Sequence, residues 1–327
     1  MFSIHAPLLH AAGLFEIRIN PGSGLAANPA ALSAFERAVE EWEAWISSPI
    51  TIYIDADLST TLNGTIPFDP NVIGITSLTT YENYDDLNLD YTTVRNAMAA
   101  RSDQPGLEIL EYLPTSEEIT AIVPTGAVLD NTTIGVLRAN QRALGLLDPL
   151  DIRPDAIIVF NTAYSFDFDR FDADGVAIGK TDFQTAAAHE IGHALGFLSD
   201  VDDFDVIDNL DSDNLTTLDL FRFSLDQRPS TFLEFQSFPR VLSPGVPSVF
   251  SDVNNSYSMS TGANKGDGNQ AGHWQDDFLI DDHGNINIGP LIGIMDPTLP
   301  SGTAEPVSAS DIRAINLIGY DVVPEPS

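Results

Sequence analysis

The chain contains no cysteine. That rules out disulfide staples, thiol nucleophiles, cysteine-ligated zinc and a cysteine latency switch. Positive charge is scarce too: 14 Lys and Arg stand against 48 Asp and Glu, a formal net charge of −34 at pH 7. Such a surface repels phosphate backbones and anionic lipid, so nucleic acid is not an expected partner. No apolar run is long enough to span a bilayer. The opening MFSIHAPLLHAAGLFEIRIN has no early Lys or Arg and only a short apolar patch, a poor secretory signal. The expectation is that a signal was removed or that the start of the gene is imprecise.

What is present describes a globular chain. Its 327 residues are 43% hydrophobic and 19% charged, enough for one large domain or two lobes with a sizeable core. Residues 14–19 alternate as a strand; Pro29 to Ile46 has helical spacing at Phe35, Val39, Trp42 and Ile46; Thr51 to Leu58 alternates again. Strand, helix and strand in that order predict a layered lobe. Tyr91 to Ala100 and Thr132 to Leu147 read as helices, and Ala156 to Asn161 as an apolar strand. Residues 198–270 are rich in Asp, Asn, Ser, Pro and Gly, with few regular signals beyond Leu218 to Leu225, and predict a loop-rich second lobe. Ser308 to Ile318 reads as a final helix capped by Ser308 and closed by Gly319.

The chemistry concentrates in TDFQTAAAHEIGHALGFLSD, residues 181–200. Thr181 and Gln184 form a capping-box pattern that starts a helix near Asp182, and Gly196 is placed to end it. His189 and His193 lie at i and i+4, so both imidazoles project from one face about one turn apart. Two neutral imidazole nitrogens so spaced can share one zinc ion at roughly 2.0–2.1 Å each. Glu190 is rotated about 100° from His189 and reaches a metal-activated water without ligating. Zinc brings that water's pKa to about 7, and the glutamate takes its proton as a carbonyl is attacked. A catalytic zinc takes three protein ligands, so a third must come from elsewhere. His273, His283 and Asp200 are the candidates; Ser199 offers only a poor hydroxyl.

The segment HEIGHALGF resembles the metzincin metallopeptidases, whose compact motif ends in a third histidine where this chain has Ser199. The leishmanolysin branch of that family brings its third histidine, followed by Trp, after a long insertion and before a methionine turn. The same order stands here: His273-Trp274 follows His193 by 80 residues, and Gly293-Ile294-Met295-Asp296-Pro297 comes next. The resemblance implies zinc on His189, His193 and His273, Glu190 as general base, and Met295 as an apolar floor beneath the metal. It also implies an α+β, zincin-like fold. In it, residues 1–197 form a lobe of twisted mixed sheet with two long helices, including the active-site helix. Residues 198–320 form a loop-rich lobe with a final helix, and 321–327 begin a tail. The implied activity is that of a zinc metalloendopeptidase acting on protein or peptide substrates.

The ending VVPEPS resembles the opening of the PEP-CTERM sorting signal of exported bacterial proteins. The expectation is a secreted or cell-surface bacterial protein, a monomer, touching a membrane only through an anchor beyond Ser327. Two acidic clusters offer calcium as a second metal: Asp167, Asp169, Asp172 and Asp174 before the motif helix, and Asp200, Asp202, Asp203, Asp205 and Asp208 after it. Neither has EF-hand spacing, so solvated loop is the reading favoured for both. Rival functions are a non-catalytic, zinc-stabilised surface or matrix protein and a zinc hydrolase of non-peptide substrates. An intact Glu190 argues against the first of these.

Overall fold

The computed structural model describes residues 14–62, 64–77, 87–208, 210–280 and 286–324, and it is a mixed α+β molecule. The first sheet uses four strands: β1 (Glu16–Pro21), β2 (Thr51–Ser59), β3 (Gly74–Ser77) and β4 (Ala156–Asn161). Their spatial order is β1-β2-β4-β3. The first three of that order run parallel, and β3 lies antiparallel on the edge with Gly74 opposite Phe160. Alternation in β2 buries Ile52, Ile54, Ala56 and Leu58 on one face. β4 is paired on both sides and buried almost throughout, which is why it reads as a continuous apolar run.

Two helices cover this sheet. α1 (Pro29–Glu43) starts with Pro at its first turn and with Asn28 accepting from the Ala31 N–H at 3.2 Å. Its inner face buries Phe35, Ala38, Val39 and Trp42. α2 (Phe183–Leu195) lies against it, and the Trp42 indole N–H donates to the Ala188 carbonyl at 2.8 Å. Phe160 joins all three layers, meeting Phe35 at 5.9 Å and Phe183 at 4.7 Å between ring centres. Each such fully buried aromatic contributes roughly 1.5–3 kcal/mol.

Two expectations need correction. Residues 132–147 are not one helix: Val128–Gly135 is a strand between Asn88–Asp90 and Ser212–Thr216, and only Arg138–Ala143 is helical. The β-branched run Thr132, Thr133, Ile134 favours a strand once two neighbours pair with it. The α2 cap is also shifted by one residue. The Asp182 carboxylate accepts from the Thr185 N–H at 3.0 Å, while the buried Gln184 side chain turns across to Arg37 and Glu41 on α1.

The second half is more regular than its composition suggests. β5 (Arg222–Ser224), β6 (Ser248–Ser251) and β7 (Ser256–Met259) belong to a five-stranded sheet completed by Arg240–Val241 and Ala121–Ile122. Leu218 to Leu225 thus splits into a 3₁₀ turn at Asp219–Phe221 and β5. A short helix, α3 (Val201–Val206), follows the motif, and α4 (Ala309–Ile318) closes the chain. α4 carries the expected Ser308 capping box, here with Asp311, and ends at Gly319 with φ 148°. One apolar cluster runs through both halves, from Trp42 and Ile191 to Trp274, Met295 and Ile315. Among the described residues no helix is long and apolar enough to cross a membrane.

Candidate metal centre

Small residues let α2 sit deep in the molecule. Ala187, Ala188 and Ala194 are fully buried, and Gly192 faces Met295 so closely that a Cβ there would lie 2.2 Å from the Met295 sulfur. Gly196, at φ 124°, then turns the chain away. His189 and His193 remain partly open along the helix edge.

His273 arrives from the other half of the chain, and buried polar groups fix its loop. The Ala271 and Gly272 N–H groups donate to the Asp202 carboxylate at 2.7 and 3.2 Å. Arg222, fully buried, donates to the Ala271 carbonyl at 3.0 Å and also to the Ser260 carbonyl. Trp274 packs edge-on against Phe197 at 4.7 Å and donates its indole N–H to Asp311 at 2.7 Å. Asp311 also accepts from the Ile294 N–H at 2.8 Å, so one carboxylate ties the tryptophan beside His273 to the turn that carries Met295.

The three Nε2 atoms form a triangle with every side 3.1 Å. Each Nδ1 faces a backbone carbonyl: His189 with Ile294 at 2.8 Å, His193 with Phe197 at 2.7 Å, His273 with Gln270 at 3.1 Å. A carbonyl only accepts, so each Nδ1 carries the proton and each Nε2 presents a bare lone pair. Three lone pairs therefore converge with no proton between them. Burial pushes His189 down to about 4 and His193 to about 3, and His273 well below its ordinary value. The rings stay neutral, which is the form a metal requires. Ligands roughly 2.0–2.1 Å from one ion at tetrahedral angles stand about 3.3 Å apart. The triangle fits a metal ion.

Glu190 lies beside it, 8% exposed, its carboxyl pushed up to about 7 by burial against the opposing pull of Thr76. The Thr76 hydroxyl, on β3, is 2.6 Å from Glu190 Oε2 and 2.9 Å from its backbone oxygen. A Cβ at Gly74 would sit 3.0 Å from Glu190 Oε1, so glycine leaves room for the carboxylate. β3, the histidines, Glu190 and residues after Met295 line a cleft of about 500 Å³. Thr76 and Gly74 escaped sequence reading because GITS is too short to show a period.

Ser199, at the position of the compact motif's third histidine, is buried and donates to Asp219 at 2.6 Å. Asp200 starts α3, among the acidic residues Asp202, Asp203, Asp213 and Asp219. Neither belongs to the metal-capable group, and His283 lies outside the described residues. So do residues 1–13 and the last part of VVPEPS, 325–327. Within the first acidic cluster, Asp167, Asp169 and Asp172 accept backbone N–H groups of their own loop. A different trio, Asp276, Asp277 and Asp296, brings carboxylate oxygens within 4.8 Å of one another. Comparison with family models, with curated proteins and with solved structures finds no match to the chain.

Proposed function

We propose that the protein is an exported bacterial zinc endopeptidase with a metzincin fold and a leishmanolysin-like ligand order. The observation that carries this reading is the triangle of bare Nε2 lone pairs with a buried carboxyl beside it, open to a cleft. His189, His193 and His273 would hold the zinc. Bound there, zinc supplies Lewis acidity and brings the pKa of a water near 7. Glu190 takes a proton at its Oε atoms and delivers it to the leaving amine, and its buried place beside the histidines suits both directions. Thr76 holds that carboxyl in place.

The edge strand β3 pairs only with β4 among the described residues, so its outer side is available to an extended peptide as a further strand. That arrangement suits a chain substrate better than a small molecule. Met295, fully buried against Gly192, floors the site. The test is Glu190→Gln. It removes no ligand, so zinc content and fold should persist while cleavage of an unfolded protein falls by at least about 100-fold. A zinc-loaded wild type that cleaves no protein or peptide, with Glu190→Gln indistinguishable from it, would leave a zinc-stabilised scaffold instead.

A further inference from the structure

The wall of the cleft beyond the histidines is acidic. Glu305 is 9% exposed and lines the cleft, yet among the described residues no hydrogen-bond donor or cation meets its carboxylate. Its backbone is firmly placed: its N–H donates to the Thr185 hydroxyl at 3.0 Å, and the same hydroxyl is 3.2 Å from its carbonyl. Thr185 is four residues before His189 on α2, so Glu305 is attached one helical turn along α2 from His189, and both line the cleft.

Asp296, 2% exposed, leaves the Met295 turn on the same wall. Its two oxygens already accept from the Asp277 N–H at 3.0 Å and the Thr298 N–H at 2.9 Å. Asp276 likewise accepts from the Phe278 N–H and the Thr298 hydroxyl. These acids organise their own loop and add negative charge to the wall, whereas the Glu305 carboxylate has no partner among the described residues. Burial, then Asp296, Asp277 and Asp276, push Glu305 up to about 8, as expected for a carboxyl lacking a counter-ion, and a cation seated beside it favours its charged form.

We propose that Glu305, with Asp296 adding negative charge beside it, forms an anionic subsite that takes the cationic side chain, arginine or lysine, of an extended peptide lying along β3. This rests on the peptidase reading. A guanidinium or ammonium brings several donors to an acceptor-only carboxylate. Leu299 and Pro297, on the same wall, cover the aliphatic stem of such a side chain. A bound calcium suits the wall less well, because it wants six or more oxygens and both oxygens of Asp296 already accept N–H groups of their own loop.

The test uses peptide pairs identical except for arginine or citrulline, its neutral look-alike, at positions flanking the cleaved bond. Wild type should show kcat/KM at least tenfold higher for the arginine peptide. Glu305→Gln should bring that ratio close to one, Asp296→Asn should lower it, and Glu305→Asp should retain part of it. In parallel, the Kd of both peptides is measured on zinc-loaded Glu190→Gln protein. Cleavage without arginine preference in wild type, or a preference that survives Glu305→Gln, overturns the subsite. If neither peptide is cleaved, the peptidase reading fails separately, and equal Kd values for the pair then overturn the subsite as well.

Discussion

The two halves of the chain deliver the same kind of ligand by different means. His189 and His193 ride on α2, where helical spacing sets their separation and apolar packing against Trp42, Phe160 and Phe183 holds the helix. His273 rides on a loop with no helix or long strand behind it. Its position is set by half-buried Asp202, buried Asp311 and buried Arg222, gripping backbone and indole N–H groups or carbonyls. Packing tolerates small changes of shape, but a buried hydrogen-bond network fails when one member is lost. The difference teaches that the site is most vulnerable on its irregular side.

The largest effect expected from breaking this contrast is at Asp311. Replacing it with Ala leaves the Trp274 indole and the Ile294 N–H unpaired in the interior. At roughly 1–3 kcal/mol for each buried donor, the loss should be about 3–5 kcal/mol. Denaturant midpoints would measure it, and metal affinity should fall with it. A cost below about 1 kcal/mol would mean that the loop is held by packing after all.

On the helical side, Gly192→Ala puts a methyl into the Met295 sulfur. Overpacking costs about 1–3 kcal/mol, and the better helix propensity of Ala returns up to about 1. A net loss of about 1–2 kcal/mol is expected. Met295→Ala in the same chain should relieve part of it, giving a non-additive pair.

Asp202 and the histidines should also respond to pH with opposite slopes. Burial raises Asp202 from 3.8 to about 6, so the folded state binds more protons than the unfolded chain in that interval. Its contribution is fully present below about pH 4 and is lost as pH rises through about 6. His189 and His193, lowered from 6.5 to about 4 and about 3, contribute above pH 6.5 and lose that contribution as pH falls through their folded values. In the metal-free protein, denaturant midpoints of Asp202→Asn should rise more steeply from pH 4 to 6 than those of wild type, because the raised carboxyl is gone while the histidines, His273 included, remain. An unchanged slope would contradict this.

The smallest effect on the metal belongs to Ser199→Ala. It removes the hydroxyl donated to buried Asp219 and should cost about 1 kcal/mol of stability. Zinc content should not change. A drop in zinc would place the third ligand near the helix rather than in the loop.

The same contrast governs what could be read from sequence. α1, β2, β4 and α4 were legible because each is long enough to show its period or carries its own cap, and α2 because its two histidines and Gly196 fall at fixed helical offsets. His273 and Met295 were placed by their order after His193, not by local pattern. Thr132 to Leu147 misled because Ile134 to Leu147 has apolar spacing compatible with a helix, while the partners at Asn88–Asp90 and Ser212–Thr216 are distant in sequence. β5 to β7 are three or four residues each, too short for a period, and the buried roles of Asp202, Arg222 and Asp311 leave no mark in a chain so rich in acids. Glu305 and Thr76 act only through neighbours brought by folding.

The central claim is that a loop histidine and two helix histidines hold one metal. X-ray absorption at the zinc edge, on zinc-loaded wild type and His273→Ala, tests it most directly. The account predicts three imidazole nitrogens at about 2.0–2.1 Å in wild type and two in the variant, with much weaker zinc retention. Three imidazoles in His273→Ala, or fewer than three in wild type, would contradict it.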